Sequence, residues 1–266
     1  SSATASSLAS TRVSRWMARD GSARRQRHSR RIRCVLGMRA VLDWLAPWRA
    51  HRVCEASADS GATAREKAAR LGALCRASGR CSGLAVDAFC GAGGNVIALA
   101  RAFERVLAVD TDPGRLEMAR ANCAVYGVAH RVEFVCADAR HVLGSAAMRR
   151  YRPDAVFLSP PWGGPDYLLE DEYDAEADLL PEACSALLAR ALACAPQCAV
   201  FLPRNTSRAS VDAARRAAAA AGAHGFEEEL DYLHGKLKAV TLYAGALPLA
   251  DAEAALAPAS SGAAAR

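Results

Sequence analysis

Val86-Asp87-Ala88-Phe89-Cys90-Gly91-Ala92-Gly93-Gly94-Asn95 is an apolar run that ends in a carboxylate and a glycine-rich turn. The spacing predicts a buried strand over Leu84–Phe89 and a helix over Val96–Arg101. Strand, tight turn and helix in that order open a doubly wound sheet, whose ligands sit beyond the carboxyl ends of its strands. A dinucleotide fingerprint requires G-x-G-x-x-G. Counting from Gly91 puts Val96 at the third glycine, so that pattern fails. Asp87 also stands where a pyrophosphate would be repelled. The turn suits a cationic ligand better.

Working outward, the alternation of strand and helix continues. Ala64–Ala77 reads as a helix with Thr63 as its N-cap. Arg105–Val109 is a second strand ending in Asp110-Thr111-Asp112-Pro113. Pro113 suits the first turn of a helix that runs to about Tyr126 and stops at Gly127. Arg131–Cys136 is a third strand, followed by Asp138 and Ala139, and Ala155–Leu158 a fourth. A long helix is expected over 176–194, a fifth strand over Ala199–Leu202 and a helix over Ser210–Ala221. Phe226–Leu233 and Leu237–Tyr243 read as an antiparallel terminal pair. The whole reads as an α/β domain with a mostly parallel sheet. Its expected limits are 61–248, with a basic segment at 1–60 and an Ala/Ser/Gly tail at 249–266.

Residues 1–60 hold twelve arginines against four acids, a balance of +8 beside +6 for the whole chain, so the remainder is slightly acidic. The basic character therefore belongs to the N-terminal segment. Its Ser/Arg/Ala composition describes an organellar transit peptide and an RNA-contacting arm equally well. The chain begins on Ser rather than Met, as a fragment or an imperfect gene model would. Only three of the 34 basic residues are lysines. This arginine and alanine usage fits a GC-rich coding bias, so arginine content alone says little about partners. No apolar run reaches the length of a membrane span. The ten cysteines form no C-x-x-C pair. Cys75 and Cys81, and Cys194 and Cys198, are poorly spaced for zinc, so no metal is expected. Scattered cysteines of this kind fit a reducing compartment.

Three acids stand at three successive strand ends. Asp87 suits the ammonium of S-adenosylmethionine, Asp110 the two ribose hydroxyls and Asp138 the adenine amino group. Any one of them alone reads as readily as a helix cap. Beyond the fourth strand lies Ser159-Pro160-Pro161-Trp162-Gly163-Gly164-Pro165-Asp166-Tyr167. Its prolines and glycines can neither extend the strand nor start a helix. A hydroxyl, proline carbonyls and an indole at that edge suit a flat ring bearing an amino group. Ser159 and the Pro160 carbonyl accept from the NH2 and Trp162 stacks on the face.

The strings Asp87–Asn95, Asp110–Pro113, Ala119–Asn122, Val125–Gly127, Leu158–Tyr167, Phe201–Asn205 and Lys236–Lys238 resemble the trimethylguanosine synthase family, over about residues 62–247. The resemblance implies a class I, Rossmann-like methyltransferase fold with a mostly parallel seven-stranded sheet, and S-adenosylmethionine as cofactor. It implies methylation of the exocyclic N2 of a 7-methylguanosine RNA cap to the 2,2,7-trimethyl form. Small nuclear and nucleolar RNAs are the implied substrates, the nucleus the site of action, and a monomer the working form. By the same match, Cys90, Gly91, Gly93, Asn95, Thr111 and Ala139 join the acids around the cofactor. Asn122 contacts the base, Trp162 stacks on it, and Tyr167, Arg204 and Lys238 meet the cap phosphates. The cation formed by N7-methylation gains about 0.5–2 kcal/mol over an indole.

The family carries a helical extension ahead of the first strand, with a Tyr/Trp-rich segment and a Ser-Val-Thr-Pro-Glu string. Thr63-Ala64-Arg65-Glu66-Lys67 is a faint echo of it, and residues 1–60 do not match. The residues alone also accommodate another amino-methyltransferase, although such enzymes usually carry Asn or Asp first in the loop and Tyr or Phe fourth. A non-catalytic cap- or RNA-binding protein is the third reading.

Overall fold

A computed structural model describes residues 55–79, 83–164, 167 and 169–246. The readings of residues 1–54 and 247–266 lie outside the described residues. The elements in chain order are α1 (Glu55–Ala77), β1 (Leu84–Asp87), α2 (Gly94–Ala102), β2 (Arg105–Asp110), α3 (Pro113–Val125) and β3 (Val132–Cys136). After these come α4 (Ala139–Leu143), α5 (Ala146–Tyr151), β4 (Ala155–Leu158), α6 (Cys184–Leu192), β5 (Gln197–Pro203), α7 (Arg208–Ala220), β6 (Gly225–Leu233) and β7 (Lys236–Gly245). The strands form one sheet in the order β3-β2-β1-β4-β5-β7-β6. All neighbours pair in parallel except β7, which runs antiparallel to both β5 and β6. This is the seven-stranded class I arrangement the sequence leads one to expect.

Every residue of β1 and β4 is buried, as parallel strands covered on both faces must be. Alternate residues feed two cores. Val86, Leu107, Val156, Leu158, Val200 and Leu202 pack under α4 to α7. Ala85, Val106, Ala155, Phe157 and Ala199 pack under α1, α2 and α3. The strand order reverses beside β1, so β1 and β4 diverge in their connections and leave a crevice at their carboxyl ends.

Two helices differ from expectation. α1 starts at Glu55, so Thr63 lies inside the helix rather than at its N-terminus. Ala64, Ala68, Leu71, Leu74 and Cys75 recur at helical spacing and are buried against the sheet, and this docking face outweighs local cap chemistry. The helix expected over 176–194 is confined to Cys184–Leu192. Pro181 lacks the N–H a helix interior needs. Upstream, the Asp174 carboxylate accepts from the Glu176 and Ala177 amides in a turn. Glu176 then reaches forward to accept from the Ser185 amide at 3.0 Å. It thereby satisfies a first-turn donor of α6 that its N-cap residue, Ala183, cannot.

α1 is fastened to the far end of the sheet by charge. Lys67 forms an ion pair with Asp231 of β6, their side chains only 3% and 4% exposed. The second Asp231 oxygen accepts from the Thr241 hydroxyl of β7 at 2.7 Å. One turn along, Arg70 pairs with Glu229 at 2.7 Å. Lys67→Met leaves Asp231 buried without a counter-ion and is expected to cost about 3–5 kcal/mol in urea unfolding. Lys67→Met combined with Asp231→Leu should recover most of that loss. A double variant as unstable as the single would mean that α1 docks by other means.

Candidate active site

The turn after β1 is held from three sides. The Phe89 amide folds back on Asp87 Oδ1 at 3.3 Å, and the Cys90 amide donates to the Val109 carbonyl at 2.8 Å. The strand therefore ends at Asp87, two residues before the sequence suggests. Gly91 and Gly93 have φ of 49° and 92°, the left-handed region that favours glycine. A Cβ on Gly93 would lie 3.0 Å from the Ala119 Cα, so this glycine also sets how closely α2 approaches α3. Asp110, at the end of β2, is aimed by the backbone: Oδ2 accepts from the Gly91 amide and Oδ1 from the Asp112 amide, both at 2.9 Å. Asp112 in turn caps α3 through Gly114 at 2.7 Å.

A cleft of about 260 Å³ opens where these ends meet β4. Of the residues expected around the cofactor, Gly91, Asp110, Thr111, Asp138 and Ala139 line it, and Ser159 joins them from the β4 loop. Cys90 is buried, and burial followed by the nearby Asp87 and Asp110 charges pushes its thiol far up, so it stays protonated. Gly93 and Asn95 stand behind the cleft, in the turn that shapes it and the first turn of α2. Asp138 has a partner already. It caps α4 through the Arg140 amide at 2.8 Å and is forked by the Arg140 guanidinium, which holds its carboxyl below the ordinary range. Its capping role, an alternative on sequence alone, is thus present.

Asp87 is fully buried beneath the cleft floor formed by Ala88 and Phe89, rather than exposed in the cleft. Among the described residues its Oδ2 has no hydrogen-bond partner. Burial first, opposed by the Phe89 amide and aided by the Asp110 charge, pushes its carboxyl up to about 7. A buried carboxylate oxygen without a partner beneath a cleft favours a cation above it. S-adenosylmethionine carries an ammonium and a sulfonium as well as a ribose for Asp110, so the donor set fits this cofactor. Among the described residues no His/Cys/Asp/Glu group is arranged to hold a metal.

The loop after β4 supplies the other wall. The Ser159 hydroxyl donates to the Phe89 carbonyl at 3.2 Å, which leaves its lone pairs to accept. Pro160 is buried and Pro161 is exposed in the cleft wall. Trp162 is half-buried rather than displayed by its flanking residues. Its Nε1 donates to the Phe201 carbonyl at 3.3 Å. Its ring lies 5.3 Å from Phe201 and meets Tyr167 edge-on at 5.2 Å. Tyr167 also abuts the buried Tyr173. Arg204 and Lys238 are exposed at the same sheet edge, one residue beyond the Pro203–Ala239 pair. Asn122 is exposed on α3 and donates to the Ala92 carbonyl at 2.8 Å, so here it pins the glycine turn instead of lining the cleft.

Three contributors escaped the sequence reading. Leu180 and Pro181 close the cleft. Pro181 was the available signal, since a proline inside an expected helix marks a break. Asn205 donates to the carbonyls of Tyr167 and Glu170, both at 2.9 Å, clamping the end of the tryptophan loop. It stood in the Phe201–Asn205 string with no role assigned.

A family model described as RNA cap guanine-N2 methyltransferase matches residues 82–240. Trimethylguanosine synthase of Saccharomyces cerevisiae is 35% identical over 131 residues, 49% of this chain and 42% of that protein. Its counterpart in Schizosaccharomyces pombe is 39% identical over 124 residues, 46% of this chain and 51% of that protein. The chain thus spans about half the length of the curated relatives it matches. Among solved structures, the magnesium protoporphyrin IX methyltransferase of Synechocystis with bound cofactor gives a TM-score of 0.49 at 16% identity, covering 80% of this chain and 98% of that one. An O-methyltransferase of Thermotoga maritima gives 0.47 at 14%, covering 68% and 64%. The family match takes in more than half of the chain, including both loops that meet at the cleft, and the chain accordingly belongs to the RNA cap guanine-N2 methyltransferase family.

Proposed function

We propose that this chain methylates the exocyclic N2 of a 7-methylguanosine cap, giving 2,2,7-trimethylguanosine on small nuclear and nucleolar RNAs in the nucleus. The observation that carries the reading is the placement of Ser159 in the cofactor cleft, with Trp162 three residues along the same loop. S-adenosylmethionine supplies an electrophilic methyl group when bound.

The protein's share of the work is positioning. Asp110, fixed by two backbone amides, holds the ribose side, and the Asp87 charge favours the cationic end. Ser159 is already spent as a donor, so its oxygen faces the guanine amino group as an acceptor and orients the nitrogen lone pair. Trp162 presents a π face that prefers a cationic purine. Arg204 and Lys238 are exposed cations at the same edge, placed to meet cap phosphates, and Tyr167 follows the stacking loop. The N2 proton becomes acidic only after transfer, so no strong base is required. Orientation of bound reactants alone is worth about 7–11 kcal/mol.

Incubation with cap analogues and cofactor should add one or two methyls, read by mass, to a 7-methylguanosine cap and none to an unmethylated guanosine cap. Equal turnover of both would remove the stacking argument. Trp162→Ala should weaken cap-analogue binding roughly 5- to 150-fold, from a stacking loss of about 1–3 kcal/mol, and leave cofactor affinity nearly intact. Asp110→Ala should show the reverse split in calorimetry, with cofactor affinity down roughly 10- to 150-fold from the loss of charged hydrogen bonds.

Asp87 gives a pH signature. In the ligand-free protein it is protonated below about pH 7. A cationic ligand favours its ionised form, so cofactor affinity should fall as pH drops from about 8 to about 6. Without ligand the sign is opposite. The folded state keeps a proton that the unfolded chain releases near 3.8, so the fold loses stability as pH rises from about 3.8 to about 7. Asp87→Asn should flatten both profiles; a cofactor affinity that stays pH-dependent in that variant would assign the effect to another group.

A further inference from the structure

We propose that Lys67, held by Asp231, is a positioning residue for the Trp162 indole and acts through the ring of Phe201. The inference rests on the proposed stacking of the cap base on Trp162. It adds a specificity determinant on α1, on the opposite side of the sheet from the core cluster against which Trp162 packs.

Lys67 is one of three lysines in a chain that otherwise uses arginine, and it is almost wholly buried. A buried ammonium has to replace its water on every side. Asp231 covers one side. Another neighbour is not a polar atom but the Phe201 ring, whose centroid lies 4.8 Å from Nζ. Phe201 packs with the α1 face of the sheet, and its ring reaches the carboxyl edge where Trp162 sits. There it holds the indole at two points. The rings lie 5.3 Å apart at a tilt of 43°, and the Phe201 carbonyl accepts from Trp162 Nε1 at 3.3 Å.

The indole needs such a stop. Trp162 is followed by Gly163 and Gly164 with φ of 85° and 100°, and among the described residues no atom outside the adjoining chain lies within 4 Å of the Cβ position of either. Tyr167 meets the indole edge-on from the other core cluster, so Phe201 is the contact that comes from the α1 side. An ammonium attracted to the Phe201 face fixes that ring, and through it one wall of the indole. A purely mechanical role for the ion pair would anchor α1 and leave Trp162 untouched. The two roles therefore separate when the charge is removed and the docking kept.

The test uses the full chain with Trp16, Trp44 and Trp48 changed to Phe, so that Trp162 is the sole tryptophan. In this background Lys67→Met/Asp231→Leu replaces the ion pair with apolar side chains, while Lys67→Arg keeps the cation. Thermal unfolding confirms that each variant is folded. The inference expects the Lys67→Met/Asp231→Leu protein to show red-shifted Trp162 emission and stronger acrylamide quenching. It also expects a roughly three- to tenfold weaker affinity for a 7-methylguanosine cap analogue, within the range of a cation–π contact. S-adenosylmethionine affinity should be unchanged, and Lys67→Arg should retain both the emission and the cap affinity. Unchanged emission and quenching in the folded double variant overturns the inference. If the parent protein itself fails to bind the cap analogue, the proposed substrate is wrong, and the emission and quenching results still decide whether Lys67 positions Trp162.

Discussion

The site depends on one carboxylate. Asp110 ends β2 with both oxygens committed to backbone amides, one in the turn after β1 at Gly91 and one two residues on at Asp112. The first bond ties the glycine turn of β1 to the end of β2, and the second sets up the cap of α3. The turn can then present its amides and Phe89 carbonyl at a fixed height. The Ser159 hydroxyl docks on that carbonyl and brings the end of β4 into register with the other two strands. Three strand ends and two loops thus share one polar framework, and the cleft between them is preformed.

Much of this was legible in the sequence because the signals are local. Parallel strands buried on both faces leave apolar runs, and each run here ends in a residue that the backbone of the turn requires. Asp87, Asp110 and Asp138 mark those ends correctly, although the structure gives them different tasks. Asp138 caps α4 and pairs with Arg140, while Asp87 works from below the floor. The misread boundaries have the same origin. Thr63 resembles a cap only if the burial of Ala64, Ala68 and Leu71 against the sheet is unknown. The stretch from 176 to 183 resembles a helix only if Pro181 is discounted.

What the sequence hid is long-range. Lys67 and Asp231 are 164 residues apart, and nothing near either signals the other. Asn205 clamps carbonyls 38 and 35 residues upstream, contacts that depend on where the loop after β4 returns to β5. Leu180 and Pro181 reach the cleft for the same reason. Spacing reads periodic elements well; it cannot read the closure of one loop over another.

The tryptophan loop shows why that closure matters for chemistry. Prolines fix the approach to Trp162, and two glycines with positive φ release the chain after it. A stacking wall built on such a loop owes its rigidity to what it leans on. Phe201 belongs to the core under α1, whereas Tyr167 and Tyr173 belong to the core under α6 and α7. The indole is wedged where the two cores meet at the sheet edge, so loosening either one displaces it. On the proposed stacking role of Trp162, that couples base recognition to the packing of helices that do not line the cofactor cleft. On the proposed function, cofactor contacts run through β1, β2 and β3, and base contacts through β4 and β5. One sheet can therefore vary its base preference through the second set while the methyl-donor framework at Asp110 stays as it is.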